Sequence, residues 1–94
     1  SISATVSKFT YPIDITVTAD NTTSWMSLSD TTLSGGVTLT PDNPSATTKI
    51  EEGVSSATLV LGVVKGVTIT IGGQKLDTSA LTTQTGSITL YFEQ

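Results

Sequence analysis

The stretch ATLVLGVVKGVTITI, residues Ala57–Ile71, decides the fold of this 94-residue chain. It is the longest and most apolar run in the sequence, and its Val, Ile and Thr residues favour extended backbone. Lys65-Gly66 interrupts the run with a residue pair that fits a tight turn. The pattern therefore predicts two strands around that turn, which form the central hairpin of an all-β core.

Shorter strands are predicted on both sides of this hairpin. The cleanest is Ile13–Ala19, in which Ile, Val and Ala alternate with Asp and Thr. Phe9 and Tyr11 fall out of phase with the apolar residues of the first strand, which predicts a bulge or a change of partner strand around Lys8. The other predicted strands are Ile2–Ser7, Ser24–Ser29, Val37–Leu39, Gln74–Asp77 and Ser87–Gln94.

About eight short strands with turn signals between them, and no helix, predict an antiparallel β-sandwich or a small barrel, as a single domain over residues 1–94. Of the two we take the Ig-like β-sandwich as the prediction. Thr and Ser make up 32 of the 94 residues, a composition that also favours strands over helices. The first and last strands are expected at sheet edges. There they would add to a strand of a neighbouring molecule or pair with each other.

The charge pattern excludes several classes of protein. The chain has a net charge of −4, no arginine, and only the scattered Lys8, Lys49, Lys65 and Lys75, so it cannot form the basic stripe that nucleic acid requires. No apolar run approaches the roughly 20 residues of a membrane helix, which argues against a membrane protein. With no cysteine, disulfides cannot stabilise the domain.

The sequence also predicts a protein without catalytic activity or cofactor. It has no His and no Cys, the residues that most often supply a base near neutrality or an activated nucleophile. Zinc would lack its usual ligands. Calcium would have only carboxylates that match no EF-hand loop, namely Asp20, Asp30, Asp42, Glu51 and Glu52.

The segment Pro41–Gly53, PDNPSATTKIEEG, is predicted to be a long polar connection with Ile50 as its anchor. A connection of about a dozen residues is long for a compact domain, and such loops often carry binding sites. We interpret it as a contact loop, with a plain crossover between sheets as the alternative. The candidate interaction residues are Pro41, Asp42, Asn43, Thr47, Lys49, Glu51 and Glu52, together with Tyr91 in the last strand.

Trp25 is the only tryptophan and lies on the opposite strand face from Met26 and Leu28. A domain with so few large side chains favours a core or inter-sheet position, which a local twist would allow. The alternative is an exposed binding aromatic. In that case Tyr11, Trp25 and Tyr91 would form a stacking platform for a glycan.

The segment Ile13–Leu28, which contains ITVTADNTTSWMSL, resembles the opening of bacterial Ig-like modules of the BACON type. The shared pattern is a strand, a turn with Asn and a strand with Trp. The second aromatic and the Asn…Arg segment of that family are absent, so its carbohydrate binding is not carried over.

As a whole, a short, Thr/Ser-rich, cysteine-free β domain with few charges resembles the capsid decoration, cement and head-fibre proteins of tailed phages. The resemblance implies a homo-oligomeric structural protein on the virion surface, a homotrimer bound to a major capsid protein and to copies of itself. A neutral hydroxyl-rich surface would suit such packing because it buries no ions. The alternative is a carbohydrate-binding or adhesin module of a bacterial or phage surface protein, located outside the cell or at its surface.

Overall fold

The computed structural model describes residues 2–94 and contains nine β-strands and no helix in that range. These residues accordingly include no helix of the length and apolar character needed to cross a membrane. The strands are β1 (Ile2–Val6), β2 (Ile13–Ala19), β3 (Ser24–Leu28), β4 (Val37–Leu39), β5 (Ser45–Ile50), β6 (Ser56–Leu61), β7 (Val67–Ile71), β8 (Gln74–Lys75) and β9 (Gly86–Phe92).

The strands form two sheets, and the prediction of a helix-free β-sandwich is confirmed. One sheet has five strands in the order β1-β9-β6-β3-β4, and the other has four in the order β5-β2-β7-β8. Neighbouring strands are antiparallel except for β1 and β9, which run parallel. The strand beyond the predicted eight is β5, and the predicted strand Gln74–Asp77 is shorter in the structure, where β8 contains two residues.

One hydrophobic core lies between the sheets, because alternate residues of every long strand point inward. In β2, for example, Ile13, Ile15, Val17 and Ala19 are buried while Asp14 is exposed. Both sheets contribute side chains that are almost fully shielded from water. The largest of these are Ile13, Ile15, Met26, Leu28, Leu39, Ile50, Leu59, Leu61, Ile69, Ile71, Ile88 and Leu90.

The predicted central hairpin is wrong, since β6 and β7 belong to different sheets. β6 lies between β9 and β3, whereas β7 lies between β2 and β8. The five residues 62–66 carry the chain across the sandwich. Gly62 N–H donates to the Trp25 carbonyl at 2.7 Å and so extends the β6–β3 pairing before the chain crosses. Each strand thereby gains two partners and buries its apolar side in one shared core.

The segment predicted as a polar contact loop contains strand β5, which pairs antiparallel with β2 from Ser45 opposite Thr18 to Ile50 opposite Ile13. The inward positions of β5 are Ala46, Thr48 and Ile50, so only one large apolar residue marks this strand. Thr48 is buried, and a hydrogen bond of 2.8 Å with the Thr32 hydroxyl offsets the cost of removing its own hydroxyl from water. The weak apolar pattern explains why the strand was missed.

The first and last strands do not both form open edges. β1 pairs with β9 from Ile2 opposite Ile88 to Val6 opposite Phe92, which is the predicted alternative of mutual pairing. β9 is therefore an inner strand, and only β1 lies at an edge. After β1 the chain crosses to the other sheet, with Lys8 at a φ of 59°, where a change of partner strand was predicted.

Candidate interaction surfaces

A groove of about 740 Å³ lies where the β5 edge of the four-stranded sheet meets the loop between β3 and β4. β2 contributes Asp14 and Thr16 to its lining, and β5 contributes Thr47 and Lys49. These outward positions face each other directly, Asp14 opposite Lys49 and Thr16 opposite Thr47. We call this feature the β5 groove.

The β5 groove holds more negative than positive charge. Lys49 Nζ donates to Asp14 Oδ1 at 2.6 Å, and both side chains remain largely exposed. This hydrogen bond and the charge of Asp14 raise the pKa of Lys49 above its ordinary value of 10.5, with a smaller contribution from Glu51. Asp30 and Glu51 also line the groove, so three carboxylates share it with one ammonium group.

The loop that forms the other wall is tied to both sheets. Asp30 adopts a φ of 60°, which turns the chain out of β3. Thr31 Oγ1 then donates to the Leu28 carbonyl at 2.8 Å and accepts from Leu33 N–H at 3.1 Å. The Thr32–Thr48 hydrogen bond joins the loop to β5. These bonds hold the wall in place beside the strand edge.

The outer face of the five-stranded sheet has the opposite character, because none of its outward residues is Asp, Glu or Lys. Rows of side chains cross the strands, for example Ser3, Thr89 and Thr58 in neighbouring positions on β1, β9 and β6. Hydroxyl groups dominate, and we call this surface the neutral face. Its outward residues are Ser3, Thr5, Trp25, Ser27, Thr38, Ser56, Thr58, Val60, Ser87, Thr89 and Tyr91.

Trp25 is 43% exposed on the neutral face, so its predicted position in the core is wrong. Strict alternation in β3 buries Ser24, Met26 and Leu28 and turns Trp25 outward. The ring lies against Gly36, where a Cβ atom would overlap it. Because Gly36, at the end of the β3–β4 loop, has no side chain, the Trp25 ring can pack against its backbone on the outer face of the sheet.

The three aromatic residues predicted as a glycan platform are not brought together. Tyr91 is 47% exposed opposite Ser56, whereas Trp25 pairs with Gly62 at the other end of β6. Six residues of strand separate these rows by roughly 20 Å. Tyr11 is partly buried, stacks edge-on against Phe9 at 5.2 Å, and donates its hydroxyl to the Val54 carbonyl at 3.0 Å.

The residues predicted as contacts divide between three places. Thr47, Lys49 and Glu51 lie in the β5 groove. Pro41, Asp42 and Asn43 form an exposed turn closed by backbone hydrogen bonds between Thr40 and Asn43. Glu52 is exposed in the turn after β5, and Tyr91 lies on the opposite sheet.

Sequence reasoning missed the partners that complete the β5 groove, which are Asp14, Thr16 and the loop residues 30–32. Asp14 and Lys49 are 35 positions apart, and only the strand register brings them together. The neutral face had a signal in the sequence, since residues 53–64 and 78–92 contain no Asp, Glu, Lys or Arg.

Residues 2–94 contain no group of three or more His, Cys, Asp or Glu side chains close enough to hold a metal ion. Outside the groove, the backbone and hydroxyl of Ser79 lower the pKa of Asp77 below its ordinary value of 3.8 through hydrogen bonds. Like the shift at Lys49, this one favours the charged form of the side chain.

The chain is similar to a bacterial protein named Cytoskeleton protein RodZ, from Streptococcus pneumoniae (strain ATCC BAA-255 / R6). The two are 44% identical over 80 residues, which are 85% of this chain. The chain spans 29% of the length of that relative. No protein-family model and no solved structure matches the chain.

This similarity overturns the assignment to phage capsid decoration proteins, because the curated relative is a bacterial cytoskeleton protein. A major capsid protein as partner, a trimer on a capsid lattice and a position on the virion surface are therefore wrong predictions. The alternative of a carbohydrate-binding or adhesin module is not supported either. Size and a Thr/Ser-rich composition are shared by unrelated β domains and do not identify a family.

Proposed function

We propose that this chain is a non-catalytic, protein-binding β-sandwich of a bacterial cytoskeleton protein. The observation that carries the proposal is the 44% identity to Cytoskeleton protein RodZ over most of the chain. Because the match spans 29% of that relative, the proposal concerns the role of one part and not the activity of the whole protein.

The ionisable groups support a role without catalysis. General acid–base chemistry works best with a group whose pKa lies near the operating pH. The raised pKa of Lys49 and the lowered pKa of Asp77 both move away from neutrality. The chain also has no His or Cys to supply a titrating base or a thiolate nucleophile.

The surface supports protein binding. The neutral face could be covered by a partner without desolvating ions, and its hydroxyl groups can form hydrogen bonds across an interface. The β5 groove offers a second contact of different chemistry, with carboxylates and an unpaired strand edge. Two surfaces on opposite sheets would let one sandwich contact two proteins.

A hybrid protein tests the proposal. The matching stretch of the S. pneumoniae relative would be replaced by this chain and expressed in a strain that lacks the native protein. We expect the hybrid to restore the lost function and the position of the native protein in the cell. A hybrid without any insert provides the baseline.

A hybrid with Leu59→Asp tests whether a folded domain is required. A charge at this fully buried position should unfold the sandwich, so we expect this hybrid to restore nothing. If the intact hybrid is produced at normal levels, stays folded and restores nothing, the proposed role is wrong.

A further inference from the structure

Four edge strands bound the two sheets of residues 2–94, and they differ in how accessible their backbone is to another strand. β4 and β8 contain three and two residues, too few to template another strand. β1 has five residues, but β8 and the residues after it lie beside it: Gln74 Nε2 in β8 donates to the Ser7 carbonyl at 3.0 Å, and Leu76 shares a cleft with Thr5. β5 is the longest edge strand of residues 2–94, with six residues. The loop 30–32 is bonded to it through the Thr32 and Thr48 hydroxyls and through no backbone hydrogen bond, so the backbone of this edge stays open.

The free side of β5 presents unpaired backbone groups to the β5 groove. Ala19 N–H donates to the Pro44 carbonyl at 2.8 Å, which sets the alternation of hydrogen-bonded pairs along β2 and β5. In that register Ala46, Thr48 and Ile50 bond to β2. The N–H and C=O groups of Ser45, Thr47 and Lys49 therefore point away from the sheet, and β5 has no second partner strand within residues 2–94.

We propose that the β5 groove binds an extended, basic segment of a partner protein, which adds to the four-stranded sheet as a strand next to β5. The inference deepens the proposed function and rests on it for the assumption that the domain binds proteins. Unpaired backbone groups on a sheet edge are the usual basis for strand addition, and side-chain pockets beside them give selectivity.

Charge determines the kind of segment. The groove contains Asp14, Asp30 and Glu51 against Lys49, and the whole chain carries a net charge of −4. Lys49–Asp14 is the only ion pair within 4 Å in the described residues, which leaves Asp30 and Glu51 available to a cation. Alternate side chains of an added strand point to the same face, so lysine or arginine at every second position would meet these carboxylates.

The first test is an NMR titration of the 94-residue chain with a capped six-residue peptide that alternates lysine and valine. We expect the amides of Thr47 and Lys49 to shift and to gain protection from hydrogen exchange. Free amides on an edge exchange quickly, so protection at alternate residues would mark strand pairing. A peptide with glutamate in place of lysine should bind at least fivefold more weakly, and equal binding of the two would overturn the basic character of the partner.

A matched pair of variants tests the groove. Glu51 and Glu52 are adjacent and exposed, and only Glu51 lines the groove. We expect Glu51→Gln to weaken binding of the lysine peptide roughly two- to fivefold, as for an exposed ion pair, and Glu52→Gln to leave it nearly unchanged. Lys49→Met should strengthen binding because it removes the one competing cation. Equal effects of the two Gln variants would contradict the proposed site.

Thr47→Pro tests strand addition itself. Within residues 2–94 the Thr47 N–H forms no backbone hydrogen bond, so proline should be tolerated there while removing a donor that the added strand needs. We expect this variant to melt as a folded domain and to lose peptide binding. If the variant unfolds, hydrogen exchange in the unaltered chain is the test: protection of the Thr47 and Lys49 amides by the lysine peptide supports strand addition, and no protection contradicts it.

The outcomes separate this inference from the proposed function. If the hybrid protein works and neither peptide protects the β5 amides, the groove is not a strand-addition site. If the lysine peptide binds as described and the hybrid restores nothing, the groove is supported and the role in a cytoskeleton protein is wrong.

Discussion

The outer faces of the two sheets differ in charge, although their strands follow the same alternation of apolar and hydroxyl residues. The five-stranded sheet presents the neutral face, whereas the four-stranded sheet presents Asp14 and Lys49 in one cross-strand pair and Lys75 on β8. Their inner faces are equally apolar. Because the difference is confined to outward positions, it contributes little to the fold and can serve binding.

The inner faces of the two sheets should contribute equally to stability. Truncating one core side chain from each sheet tests this and has the largest expected effect. Leu59 in β6 and Ile69 in β7 are both fully buried, one from each sheet. Replacing either with Ala should lower the free energy of unfolding by about 2–5 kcal/mol, measured by urea denaturation. The surface control Thr89→Ala should stay within about 0.5 kcal/mol. A large loss for one core variant and none for the other would mean that the sheets do not share one core.

Residues 62–66 carry the chain from one sheet to the other, and we expect Ser24 to stabilise this crossover. This buried hydroxyl donates to the Val63 carbonyl at 2.8 Å and accepts from Val63 N–H at 3.0 Å. Ser24→Ala leaves both backbone groups without that partner and should lower the free energy of unfolding by about 1–3 kcal/mol. Ser27→Ala, on the neutral face, is the control. Equal effects in thermal or urea melts would contradict the role of Ser24.

The position of Trp25 on the neutral face should depend on Gly36. Ala at this residue would adopt a φ near 90° and overlap the ring, so we expect a loss of about 1 kcal/mol in the free energy of unfolding and a changed Trp25 fluorescence spectrum. Gly35→Ala meets no atom within 4 Å and should change neither. An unchanged spectrum in Gly36→Ala would show that the ring does not rest on this glycine.

The smallest effect concerns the Lys49–Asp14 ion pair on the outer face of the four-stranded sheet. Asp14 raises the pKa of Lys49 above 10.5, so the stabilisation from the pair is fully present below that pH and is lost as the pH rises through the folded-state pKa. NMR titration of Lys49 should therefore give a pKa above 10.5, and Asp14→Asn should lower it. A pKa that the substitution leaves unchanged would contradict the pairing.

The amino-acid sequence by itself determined the fold class and most strand positions. In Ile13–Ala19 and in Gly86–Phe92 the apolar residues recur at every second position, which is the pattern of a strand buried on one face. The sequence also determined that residues 53–64 and 78–92 carry no charge. Because β6 and β9 are neighbours in the sheet, these residues form much of the neutral face.

Only the tertiary structure decided how the strands are paired. The run Ala57–Ile71 fits a hairpin as well as two strands in different sheets, and the outcome depends on long-range partners such as β9, β3 and β2. The backbone of β5 is held as a strand by its pairing with β2, and the Thr32 hydroxyl forms the hydrogen bond that its buried Thr48 needs. The β5 groove likewise joins residues far apart in sequence, since local preferences set each strand but cannot set which strands meet.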